Sequence, residues 1–210
     1  MKKYRFTDET KIVNGVTLHR IVAIRDFSNI ASGDTGGWVE KEENLSHNGS
    51  CWVHNNGCVF GDAVVQDSAL VGGDAMVFDN ATISDDAQVY GNAQVYGNAG
   101  VYGYARVRDN ARVYDNAEVC DDAYVIDNAE VYENGSVSLD ATACDNSKVY
   151  GEGCVAGHAF VCGNSRIEGH AKVFGIAQVG GNAEVYDNAV VYSQTIVNDD
   201  TIVCGDDVRG

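Results

Sequence analysis

The residues best suited to chemistry in this chain are two histidines, His158 and His170, each written Gly-His-Ala. An imidazole can take a proton from a hydroxyl or an amine near neutral pH, so each is a candidate general base. Seven cysteines are the other nucleophiles, an odd number with no Cys-x-x-Cys pair and no histidine at ligand spacing. That pattern indicates neither a disulfide framework nor a zinc site, and no metal is expected. The most abundant functional group is the carboxylate: 31 Asp and Glu against 14 Lys and Arg give a formal charge of −17. Such a balance argues against nucleic acid or an anionic membrane as partner. The Gly-Gly-x-Gly-x-Asp calcium nonapeptide is absent, so the acidic rows read as ordinary solvated turns.

The elements that must position these groups are written in a hexapeptide. Taking Val53 as position 1, an aliphatic residue recurs every six residues to Val203, with Ala143 the one shrunken member, over 26 unbroken hexads ending at Val208. A period this strict predicts a solenoid. Positions 5, 6, 1 and 2 read as a short strand in which small position 5 and aliphatic position 1 point inward, and positions 6 and 2 outward. Positions 3 and 4 form the corner. Position 3 is mostly Gly or Asp and position 4 mostly Asn or Asp, residues that tolerate the left-handed backbone of a sharp corner. Both histidines occupy position 4, where a turn role explains them, and they fall on different corners, so they cannot form one dyad. Three hexads close one 18-residue triangular coil filled by Val and Ala, with no pore.

Residues 1–50 do not obey the repeat and are expected to form a β cap, with residues 51–210 forming the solenoid. Asn14-Gly15 within the alternating run Lys11 to Phe27 predicts a hairpin, with Tyr4 to Phe6 a candidate third strand. Gly33 to Trp38 reads as a glycine-rich turn that delivers Trp38, with Trp52, onto the open end of the first coil. Val39 and Leu45 suggest a partial coil two residues out of phase with Val53. No signal peptide or apolar 18-mer occurs, and the expected location is cytoplasmic.

The runs Ala23-Ile24-Arg25-Asp26-Phe27, Gly36-Gly37-Trp38-Val39, Asn44-Leu45-Ser46 and Cys51-Trp52-Val53, followed by Val-Tyr-Gly-Asn-Ala arrays, resemble the YdcK-like hexapeptide-repeat proteins of bacteria and phages. The resemblance implies an all-β fold, a single-stranded left-handed parallel β-helix, and a family labelled as acyltransferases. Enzymes of that kind use a histidine base in a cleft between subunits, a long loop interrupting the coils, and acetyl-CoA or another acyl-CoA as donor. Here 26 hexads pass without an insertion, and no basic cluster awaits the coenzyme phosphates. The preferred reading is therefore a non-catalytic structural or binding protein without cofactor. Acyl transfer through His158 or His170, and sequestration of a small ligand between subunits, are the alternatives.

Two outward strips carry the binding reading. One column reads Phe60, Phe78, Tyr96, Tyr114, Tyr132, Tyr150, Glu168, Tyr186, flanked by Arg112, Glu130, Lys148, Arg166 and Glu184 with mostly alternating charge. A second strip is apolar, with Tyr124, Ile126, Thr142, Cys144, Phe160 and Cys162. Either strip suits an oligomer interface. The expected partner is a further copy of the chain, a trimer being favoured as the resemblance implies, with a partner protein or small-molecule ligand also compatible. The acidity disfavours an anionic nucleotide as that ligand unless a local basic patch such as Arg106, Arg108 and Arg112 offsets it.

Overall fold

The alternation of small, outward and branched residues produces the expected coil. In the computed structural model, which describes residues 1–210, each hexad contributes a two-residue strand at positions 6 and 1, such as Gln94–Val95. Equivalent strands pair in parallel at a spacing of 18 residues, Val95 with Val77 and Val113. The result is three parallel sheets forming the walls of a β-solenoid. Position-5 alanines and position-1 valines are removed from water throughout the coils, which gives one continuous thin core. No helix is long and apolar enough to cross a membrane.

The walls are named here by what they present outward. The tyrosine face contains Cys58–Val59, Met76–Val77 and their successors. The arginine face contains Trp52–Val53, Leu70–Val71 and onward through Arg106–Val107, and the third face contains Val64–Val65 and Thr82–Ile83.

At the corners the structure corrects the sequence reading. The left-handed residue is position 3 alone: Asp67 (φ 57°), Asp85 (φ 56°) and Gly91 (φ 72°) have positive φ, whereas position 4 does not. Aspartate suits position 3 for a second reason, because its carboxylate accepts the backbone N–H one coil on, as Asp85 does from Gly103 at 3.0 Å. Asparagine suits position 4 for a different reason. Its side-chain amide donates to the amide oxygen of the next Asn, Asn92 to Asn110 at 3.1 Å and Asn110 to Asn128 at 3.2 Å, in a ladder along the prism edge. A second ladder runs from Asn80 through Asn98 and Asn116 to Asn134.

The N-terminal segment extends the tyrosine-face sheet. β1 (Tyr4–Val13) and β2 (Val16–Ala23) form the hairpin expected at Asn14-Gly15, both with positive φ. Tyr4 to Phe6 is the start of β1, and the third strand is instead β3 (Thr35–Val39). β3 runs antiparallel to β2 and parallel to Cys58–Val59, with Val39 opposite Val59. Leu45 bridges Val65, so the partial coil is present with a 20-residue spacing, two more than elsewhere. Gly36 and Gly37 are strand residues rather than a turn. A Cβ on Gly37 would meet Val53 Cγ1 and stand 2.6 Å from the Gly57 carbonyl oxygen, so only glycine lets β3 approach the first full coil.

The two tryptophans separate. Trp52 is buried, edge-on to Tyr4 and Phe27 with centroids 6.3 and 5.4 Å away. Trp38 lies on the outside of the sheet between Lys11 and Arg20, 4.8 and 4.9 Å from its ring centroid, and does not cover the coil end. At the far end the interior positions turn polar, with Thr195, Thr201, Asp207 and Arg209 in place of Ala and Val. Arg209 donates to the Ile202 carbonyl at 3.3 Å and lies 3.5 Å from Asp207 Oδ2.

One buried charge stands out in the N-terminal segment. Lys3 has no exposed surface, and its Nζ lies 3.1 Å from Cys51 Sγ and 5.2 Å from the Phe27 ring centroid. Burial pushes the Lys3 pKa down and the Cys51 thiol up. Lys3→Met, similar in volume and apolar, is expected to stabilise the protein by roughly 1–3 kcal/mol near pH 7. A lysine whose folded pKa is depressed makes the wild type more stable as pH rises toward 10.5, because only the folded state has shed the proton. Thermal melts of both proteins should therefore converge in that window. A variant less stable than wild type at pH 7 would contradict this account.

Candidate functional site

Stacking at coil spacing determines what each outward strip can offer. From Phe60 to Tyr150 six rings lie face to face, with successive centroids 4.8–5.1 Å apart and planes within 5° of parallel. Their faces are used against one another, so the column presents ring edges and hydroxyls rather than a flat aromatic platform. Partial burial raises the pKa of Tyr96, Tyr114, Tyr132 and Tyr150, keeping the phenols neutral. The flanking charges pair vertically, Lys148 with Glu130 at 3.2 Å and Arg166 with Glu184 at 3.2 Å. Phe60 is buried and Phe78 partly so, packed with Leu18, Val13, Val16 and Trp38 of the N-terminal segment. Tyr186 stands beyond Glu168, outside the stack.

The apolar strip lies on the arginine face. Tyr124 and Ile126 are half-buried, Cys144 is buried, and Phe160 is exposed. Burial, together with the nearby Asp145 carboxylate, pushes the Cys144 thiol up to about 12, so it is an inert packing group. All seven cysteines are free thiols. The basic patch divides: Arg106 and Arg108 share the arginine face, whereas Arg112 stands on the tyrosine face, 3.9 Å from Glu130.

Two corners carry asparagine ladders and the third, between the third face and the arginine face, carries none. Its position 4 reads Ser68, Asp86, Tyr104, Asp122, Asp140, His158, Ile176, Gln194. That difference is present in the sequence, in every third hexad, and emerges only when position 4 is sorted by corner. The exposed large apolar side chains of the coils between Val53 and Thr195 are Tyr104, Leu139, Phe160, Phe174 and Ile176. All five sit on or beside this corner, each at least 40% exposed. Leu139 also adopts a left-handed backbone (φ 59°), which costs a residue with a Cβ roughly 1–2 kcal/mol.

His158 stands on the same corner, its Nδ1 3.4 Å from Asp140 Oδ2 one coil earlier. His170, on the corner between the tyrosine and third faces, repeats the arrangement with Nδ1 2.9 Å from Glu152 Oε2. Each imidazole is thus one rung of a corner column paired with an acid one coil earlier, and only on the His170 corner do other rungs pair amides. Neither meets the other. A cavity of about 820 Å³ opens beside His158, lined by Gly157, Gly175, Ile176, Ser193, Gln194, Thr195 and Gly210, with no Lys or Arg among them. An acid-oriented imidazole at an open cavity can accept a proton, but this lining supplies no cation for a coenzyme phosphate.

The YdcK Beta solenoid repeat family model matches residues 87–103, 93–109 and 177–193. The chain is also similar to a protein of Escherichia coli (strain K12) named "Uncharacterized acetyltransferase YdcK", 35% identical over 74 residues, which is 31% of this chain and 23% of that relative. Those repeat matches fall inside an unbroken run of 18-residue parallel coils. By its repeats and its fold, the chain is similar to the YdcK β-solenoid repeat proteins, and it spans about a quarter of the length of the curated relative it matches.

Proposed function

We propose that this protein is a non-catalytic β-solenoid that works by presenting its outward surface, and that the corner without asparagine is its contact surface. The observation that supports this reading is the gathering of Tyr104, Leu139, Phe160, Phe174 and Ile176 on that one corner. Exposed apolar side chains gathered along one corner, interspersed with Asp122, Asp140 and His158, suit a contact surface with an apolar centre and polar surroundings. The partner proposed is a further copy, in a closed ring for which a trimer is favoured, so that each copy covers one corner. In sedimentation velocity at micromolar concentration the wild type should run as an oligomer. Phe160→Glu with Ile176→Glu should dissociate it, whereas Tyr114→Glu with Tyr132→Glu should leave the assembly intact, because that column faces itself. A monomeric wild type, or dissociation by the tyrosine pair alone, would refute the assignment.

Acetyl transfer is the second reading, favoured by the name of the Escherichia coli relative and by the His158–Asp140 pair at the cavity. It predicts release of coenzyme A from acetyl-CoA in the presence of an acceptor amine or alcohol, lost in His158→Ala. The binding reading predicts no release above the uncatalysed rate, and a His158-dependent reaction would replace it.

A further inference from the structure

We infer that Arg108 anchors a binding site for a small oxyanion carried on a flat organic body, a carboxylate or a phosphate ester, with Arg106 adding positive charge from the same face without lining the groove. The two side chains leave opposite ends of one short strand, Arg106–Val107 and the residue after it, and both project from the arginine face. Along that face, from Trp52/His54 through Gln88/Tyr90, Tyr124/Ile126 and Thr142/Cys144 to Ile196/Asn198, no outward strand position is acidic, although the protein carries a charge of −17. Arginines elsewhere in the coils find carboxylates: Arg112 has Glu130, Arg166 has Glu184 and Arg209 has Asp207. Arg106 and Arg108 have none. Arg106 lies over the Tyr124 ring, 5.1 Å from its centroid, and donates to the Tyr124 hydroxyl. Arg108 Nη2 donates to Gln88 Oε1 at 3.1 Å, while Arg108 Nε is shielded from water and has no acceptor.

A guanidinium held by a neutral neighbour keeps its full charge and its remaining N–H groups for a ligand, and its planar fork fits a two-oxygen anion. The space for that ligand is present as a groove of about 280 Å³ lined by Gln88, Tyr90, Gly91, Arg108 and Asp109. Tyr90 supplies a hydroxyl donor and a ring wall. Gly72 gives that ring its place, since a Cβ there would stand 2.5 Å from Tyr90 Cε1. The Asp109 carboxylate stands at the corner end, so the ligand's charge belongs on the arginine side and its flat body along Tyr90. Tyr104 of the proposed contact corner stands two residues before Arg106, whereas the groove lies at the other edge of the arginine face, beside Gly91 and Asp109.

The test is titration of the wild-type protein with phenyl phosphate, benzoate and inorganic phosphate, followed by the arginine Nε–H resonances in nitrogen-15 correlation spectra. A saturable shift of the Arg108 Nε–H is expected below about 10 mM with phenyl phosphate or benzoate, weaker with inorganic phosphate. The order of the first two identifies the oxyanion. Arg108→Gln should weaken binding at least about tenfold, read on the Gly91 amide, and Arg106→Gln should weaken it by a smaller factor. Lys172→Gln, removing a lysine of the third face, should change nothing. Absence of a saturable shift, or equal binding by wild type and Arg108→Gln, would overturn the assignment.

Discussion

Removal of residues 1–36 is expected to make the protein aggregate on expression or on mild warming. The deletion takes away β1 and β2, and with them Tyr4, Leu18, Ile21 and Phe27, which bury Trp52, Phe60 and Cys58. Uncovering this many large apolar side chains forfeits on the order of 10 kcal/mol of burial, an upper figure because the unfolded chain already hides some of that surface. It also frees the edge of β3 that β2 had occupied, a template for pairing with another chain. Size-exclusion chromatography with light scattering, alongside a thermal melt, reads both effects. A truncated protein that remains monodisperse with an unchanged melting temperature would show that the N-terminal segment does not cap the solenoid.

The second large effect is expected from charging one asparagine ladder. In the triple variant Asn110→Asp, Asn128→Asp, Asn146→Asp, amides that both donate and accept are replaced by carboxylates that only accept. Rungs now joined at 3.2 Å, from Asn110 to Asn128 and from Asn128 to Asn146, become like-charge neighbours beside Asp109, Asp127 and Asp145. Three lost hydrogen bonds at ~1 kcal/mol each, with repulsion of ~1 kcal/mol or more per adjacent pair at coil spacing, give a loss of roughly 4–6 kcal/mol at neutral pH. Repulsion raises the folded-state pKa of the new carboxylates, so they bind protons more readily folded than unfolded. The repulsive part of the deficit relative to wild type should then shrink as pH falls through the carboxylate range. The matching Asn→Ala triple adds no charge, loses the Asn92-to-Asn110 bond besides the other three, and should show no such recovery. Equal melting temperatures for wild type and the Asp triple at pH 7 would refute a stabilising role for the ladder.

Much of this molecule is legible because a coil of fixed length turns sequence spacing into spatial adjacency. Residues 18 apart are neighbours, so the column Phe60 to Tyr150, the alternating charges from Arg112 to Glu184, and the buried Val and Ala could all be assigned by counting. Even the two-residue phase offset of Val39 and Leu45 survives as a 20-residue pairing. The corner without asparagine was equally countable, and emerges once position 4 is sorted by corner.

Counting along one column says nothing about how a side chain leans or what a non-repeating segment covers. Those were decided by the tertiary structure. Positions 3 and 4 both tolerate Asn and Asp, but only the closed coil shows that position 3 takes the left-handed turn while position 4 is free to hydrogen-bond along the edge. Trp38 and Trp52 looked alike in sequence, and β1 and β2 bury one while leaving the other outside between two cations. Arg106, Arg108 and Arg112 are close in sequence, yet a corner lies between Arg108 and Arg112. The first two therefore share a face without carboxylates while the third meets Glu130. The repeat fixes inside and outside through a two-residue alternation, whereas contacts across a corner or beneath a hairpin depend on backbone paths that no local period encodes.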